Sequence, residues 1–129
     1  MKARCLLCRD ATQAAQHPDW QQRDDAGQPH PTLCLNSPYV AKAVWPWMTR
    51  AAAEPACEAL EFEIPAAAGE PCWCDACSLH LTEAKLNLND AAVRKQFALD
   101  SVARFQKETA AYAEAVRPGL KVVFTDHGS

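Results

Sequence analysis

No run of lysine or arginine stands out in this sequence. The 13 Lys and Arg are scattered and outnumbered by 16 Asp and Glu, for a formal net charge of −3 and a sequence pI of about 5.8. Nothing in that balance suits a nucleic-acid backbone or an anionic membrane surface, so neither is expected as a partner. Also missing is any apolar stretch near the ~20 residues needed to span a bilayer. The opening segment, MKARCLLCRDATQAAQ, has basic residues but lacks the apolar centre and cleavage site of a secretory signal. The expected compartment is therefore the cytoplasm. There is no internal repeat and no low-complexity tract; AAAEPA and PAAAGEP read as a helix end and a loop. The 129 residues, 49% of them hydrophobic, suffice for a single domain with one modest core.

What the chain does have is cysteine, seven in all, an odd number. Three fall within six positions of PCWCDACS (residues 71–78): Cys72, Cys74 and Cys77. Closely spaced cysteines in a cytosolic chain point to metal or redox chemistry before disulfides. A C-x-C-x-x-C set can converge on one tetrahedral zinc ion, with Zn–S near ~2.3 Å. The fourth ligand must come from elsewhere, and Cys34, Cys5, Cys8, Cys57 and His80 are all candidates. Cys34 is the natural choice if the helix after it packs beside the cysteine loop. A rival arrangement joins Cys5 and Cys8 to Cys74 and Cys77 and leaves Cys72 idle. A third alternative is a set of incidental buried thiols. A thioredoxin-like role for CDAC is disfavoured, because no thioredoxin-like strand order surrounds it.

Residues 1–37 read as mostly irregular. HPDWQQRDDAGQPHP is rich in proline and turn formers, with a short extended piece near Trp20–Arg23. Residues 38–129 read as helix, strand, cysteine loop, helix, strand. Ser37 before Pro38 signals a helix start, and the helix should run to about Ala53 with a kink at Pro46. ALEFEI (59–64) alternates strictly, placing Leu60, Phe62 and Ile64 on one face of a strand and Glu61 and Glu63 on the other. A short helical piece is expected near 78–85. A long helix follows over about 90–116, with a stripe of Ala98, Val102, Phe105, Thr109, Tyr112 and Val116. Arg117, Pro118 and Gly119 end it. LKVVFT (120–125) reads as a covered parallel strand. The fold class is thus α/β, and functional groups are expected at the carboxyl ends of parallel strands.

LCLNSPY, ALEFEI and PCWCDAC together resemble a segment of the barrel glycoside hydrolases. They are similar to the family 42 β-galactosidases, and closer to hypothetical glycosyl hydrolases grouped with them. That family binds a structural zinc through a lone cysteine in Cys-x-x-Ser-Pro and a later C-x-C-x-x-C cluster. Cys34 with Ser37 and Pro38 matches the first; Cys72, Cys74 and Cys77 match the second. The family's acid/base glutamate ends a barrel strand eight residues before the cluster, and the eight residues Ile64 to Pro71 separate Glu63 from Cys72. HPDWQQRDDAGQPHP is similar to a further stretch of the hypothetical hydrolases. The resemblance implies about strands three to five of a (β/α)8 TIM barrel, a structural zinc on Cys34, Cys72, Cys74 and Cys77, and a β-galactosidase-like hydrolysis of O-glycosidic bonds. Phe62 departs from it, standing where family 42 has asparagine.

Glycoside hydrolysis takes two carboxyl groups, one to protonate the leaving group and one to attack or activate water. Glu63 is the candidate acid/base. Glu61, two residues earlier on the same face, would raise the pKa of its neighbour by like-charge repulsion. Asp126 and His127, at the end of the last strand, are candidate sugar contacts, as is Trp20 as a stacking platform. The later strand that would bring the nucleophile is missing, so the chain alone is expected to be inactive. Its partners would be a carbohydrate, and either a second copy or a complementing barrel half. The competing expectation is a non-catalytic, zinc-stabilised binding or assembly module.

Overall fold

Three strands far apart in sequence lie side by side in the computed structural model, which describes residues 1–127, the last through its backbone alone. In chain order the elements are β1 (Lys2–Leu6), α1 (Ala11–Gln16), β2 (Gln21–Arg23), β3 (Pro29–Leu33), α2 (Trp45–Ala52), β4 (Ala59–Pro65), α3 (Asp75–Glu83), α4 (Ala91–Val116) and β5 (Lys121–His127). β4 is central, with β1 and β5 on either side, and both pairings are parallel. β2 and β3 form a separate antiparallel hairpin. Among the described residues, no helix is long and apolar enough to cross a membrane.

The expected β4 and β5 are present and parallel. The expectation of an irregular first 37 residues is corrected, because they hold a sheet strand, a short helix and the hairpin. KARCL has few β-branched or aromatic residues and was not recognisable as a strand by its own preferences. β4 supplies the order: Ala3 pairs with Leu60 and Cys5 with Phe62.

One face of β4 makes the core. Leu60, Phe62 and Ile64 are buried there. The Phe62 ring meets Trp47 of α2, Phe105 of α4 and Phe124 of β5, each at a centroid distance of 5.7 Å. The other face carries Arg4 and Leu6 of β1, Glu61 and Glu63 of β4, and Val123 and Thr125 of β5, which the register sets in rows. Leu6 is 49% exposed and Val123 is 39% exposed, so this face is left open.

The kink expected at Pro46 is taken up differently. Residues Val40–Val44 wind as a π-helix, and the Trp45 N–H reaches the Val40 carbonyl five residues back. Pro46 then falls in the first turn of α2, where a missing backbone donor costs nothing. In α4, the Asp90 side chain accepts from the Ala92 and Val93 N–H groups and starts the helix. Its buried stripe is Arg94, Ala98, Ser101, Phe105, Thr109 and Ala113. Three positions match the apolar stripe expected; the others are turned slightly, and one is a buried arginine. At the far end, the Arg117 guanidinium donates to the carbonyls of Ala52, Glu54 and Cys57, fastening α4 to the link between α2 and β4.

Candidate metal centre

The hairpin delivers Cys34. The Cys34 N–H donates to the Trp20 carbonyl at 2.8 Å, and that of Leu33 to the Cys8 carbonyl at 2.8 Å. This fixes the end of β3 over the carboxyl end of β1. The cysteine loop following β4 is fastened to the same hairpin, through Trp73 N–H to the Arg23 carbonyl at 2.9 Å. Cys74 then caps α3, its sulfur accepting from the Cys77 N–H, which brings Cys77 back beside it.

Four sulfurs converge as a result. Those of Cys34, Cys72, Cys74 and Cys77 all lie within 4.8 Å of one another, and all four residues are buried. The Cys34–Cys77 separation is 3.5 Å and the Cys34–Cys74 separation 3.6 Å. A disulfide would need about 2.05 Å. A tetrahedron with metal–sulfur bonds of ~2.3 Å has edges of about 3.8 Å. The spacing is that of a metal-binding cluster of free thiols. Hydrogen bonds from Cys34, Cys74 and Cys77 hold the Cys72 thiol far below its ordinary pKa, while the bond with Cys72 is the largest cause raising Cys34. Two N–H groups of Asn36 also point at sulfur: its backbone at Cys34, 3.4 Å away, and its side chain at Cys77, 3.7 Å away.

The rival pairing of Cys5 and Cys8 with Cys74 and Cys77 is corrected: Cys5 and Cys8 lie outside the cluster. Burial pushes the Cys5 thiol up to about 11 and that of Cys8 higher still. The Cys57 thiol points at the Ala59 carbonyl, and His80 sits against Phe97; neither joins the group.

The carboxylates have a neighbour that the sequence did not reveal. Arg4 Nε lies 2.8 Å from Glu61 and 3.7 Å from Glu63, on the open face. Glu61 thus has a cation beside it as well as Glu63. Its hydrogen bond from Arg4 holds Glu61 below the ordinary carboxylate pKa. A carboxylate lowered in the folded state stabilises above its unfolded pKa of ~4.3, and that stabilisation is lost as pH falls through the lowered value. Glu61→Gln should therefore flatten the loss of stability in acid while leaving its dependence near neutrality unchanged, as urea titrations between neutral pH and acid would read.

Trp20 is 6% exposed and stacked on His17 at 3.6 Å, which corrects its reading as an open platform: the ring belongs to the core. Asp126 is exposed, level with Ile64 at the end of β5. The side chain of His127 lies outside the described residues. A cleft of about 670 Å³ opens between α1, the hairpin and the turn after β4, lined in part by Asp10, Gln21, His30 and Ala67. Glu61, Glu63 and Asp126 do not line it. The structure thus gathers the four cysteines, leaves Glu61 and Glu63 on the open sheet face, and places Asp126 on the opposite face, in a cleft with Leu99 and Val102 of α4. Asn36 and Arg94 were missed as members of the site. The one available signal was an arginine four residues before Ala98, on the stripe of α4 that should be apolar.

A parallel α/β sheet with a four-thiolate site at its carboxyl end defines the class. No protein-family model matches the chain, and no curated protein matches it by sequence. Among solved structures, it superposes on alpha-L-fucosidase isoenzyme 2 from Paenibacillus thiaminolyticus with a TM-score of 0.81 and 19% sequence identity. The match covers 95% of this chain and 20% of that one, so the chain spans about a fifth of the length of that enzyme. At this identity the likeness concerns the fold. It shows the fold alone and gives no support to family 42 in particular.

Proposed function

We propose that this chain is a zinc-tied portion of a glycoside hydrolase barrel, carrying about strands three to five. The observation that supports this most is the open face of the sheet. Its rows of Arg4, Glu61 and Glu63 are what a barrel turns inward, and both outer strands have an unpaired edge among the described residues. The superposition on a portion of a hydrolase agrees with it. In this reading the remaining strands come from a complementing barrel half and cover that face. Zinc on Cys34, Cys72, Cys74 and Cys77 is structural, since four thiolates leave no position open for water.

Glu63 is the acid/base group, serving an O-glycoside at the barrel mouth. The second carboxyl must stand about 5–5.5 Å away for retention or about 6.5–9.5 Å for inversion. Glu61 is a poor choice for it, being held by Arg4. The chain by itself should therefore turn over neither an aryl β-galactoside nor an aryl α-L-fucoside. Turnover lost in Glu63→Gln would show that the machinery is complete without another strand. Sequencing the encoding DNA past both ends checks the larger claim. Further βα units with a carboxylate ending a later strand are expected.

One observation favours a second reading, a non-catalytic zinc module: all four ligands lie within this chain and are buried together. Stop codons on both sides, with a monomer that stays soluble, would favour that reading.

A further inference from the structure

Arg94 is 4% exposed, and the acceptors its guanidinium reaches are neutral. Nη1 donates to the Cys72 carbonyl at 2.8 Å, Nε to the Leu88 carbonyl at 2.7 Å and Nη2 to the Ser78 hydroxyl at 3.1 Å. Its flat face lies over the Trp73 ring, 4.1 Å from the centroid. A buried cation is costly without compensation. Those acceptors come from three segments: the cysteine loop, α3, and the connection between α3 and α4. One side chain thus joins all three and stacks on the residue between two of the sulfurs. α4 reaches the other half of the cluster too. Ser101 accepts from the Asn36 side chain at 3.0 Å, and Arg104 donates to the Asn36 oxygen. This orients the Asn36 side-chain amide that faces Cys77, while the Asn36 backbone N–H faces Cys34.

We propose that Arg94 is the positioning residue of the metal centre. Its planar fork fixes the loop from Cys72 to Cys77 in the ligating shape before a metal arrives, with Arg104 doing the same for Asn36. A centre of zinc and four thiolates carries a net charge of −2, which gives the buried cation its counter-charge. The inference rests on the metal reading above and adds the residue that preorganises it. Lysine supplies charge without the fork, so Arg94→Lys should fail as Arg94→Met does.

The test uses the full chain and two readouts. In chelator competition, both variants should bind zinc about 10–100-fold more weakly, the usual cost of losing a partner behind the ligands. Cobalt(II) bound to them should show a shifted sulfur-to-metal charge-transfer band. In the metal-free chain, amide hydrogens of residues 72–78 should exchange faster in Arg94→Met than in the parent while those of β4 do not change. Equal exchange in that loop overturns the proposal, as does an Arg94→Lys variant that binds zinc like the parent. A parent chain that takes up no metal would defeat the metal reading alone, since the metal-free exchange still decides the role of Arg94. If Arg94→Met does not fold, Arg104→Met on the exposed side of α4 takes its place. It should shift the cobalt band and weaken zinc binding, and an unchanged band and affinity would overturn the proposal.

Discussion

Cys34→Ser should empty the metal site and unfold the chain. Cys34 is the ligand furthest in sequence from the others, and it joins the hairpin to the loop after β4. Besides the burial of Leu33 in the core, what else holds the hairpin is a handful of hydrogen bonds, such as Gln22 Nε2 to the Ala67 carbonyl at 2.9 Å. Net contributions of such bonds are about 0.5–1.5 kcal/mol each. A structural zinc contributes far more, with apparent values of about 10–16 kcal/mol in zinc-finger peptides. Domains as a whole are stable by only about 5–15 kcal/mol. Losing the ion therefore removes an amount comparable to the whole margin. A strong chelator should act as the substitution does, giving loss of helical circular dichroism together with metal release. Cys8→Ser is the control. Cys8 is buried but lies outside the cluster, so it should lower stability while leaving one metal per chain. Metal content unchanged in Cys34→Ser would remove that residue from the site.

The parts of this architecture that were legible in the sequence are those whose information is local. ALEFEI alternates because one side of β4 meets aromatic rings, and the spacing of Ala98, Phe105 and Thr109 marks α4 because those positions share its buried side. The cysteine cluster was legible for a related reason: three ligands in one short loop fix one another's positions. β1 was hidden because its order comes from β4, fifty-seven positions away in the Ala3–Leu60 pairing. Arg4 was hidden with it, and so was the cation that pairs with Glu61. Trp20 reads as exposed because its proline-rich surroundings read as open loop, whereas the structure folds them into a hairpin that buries it. Arg94 broke the apolar pattern of its helix, and that break marked the residue holding the cysteine loop.

Phe62→Ala should cost about 3–5 kcal/mol, the usual range for truncating a fully buried aromatic. The ring is fully buried, and three other aromatic rings pack on it from two helices and a strand. The cavity has rigid walls, because Trp47, Phe105 and Phe124 are themselves fixed by α2, α4 and β5. Little of the loss can be recovered by collapse. Val123, on the opposite side of the sheet, gives the comparison. It is 39% exposed, and its truncation to alanine in the isolated chain should change stability by no more than about 0.5 kcal/mol. Urea unfolding of both variants would measure the asymmetry, and equal costs would contradict the one-sided core. The same pair then reads the surroundings of the open face. If a complementing barrel half packs against Arg4, Leu6, Glu63 and Val123, the cost of Val123→Ala should rise to that of a core truncation in its presence, while that of Phe62→Ala stays where it was. A Val123 penalty that does not move on addition of the partner would mean that this face does not line a barrel.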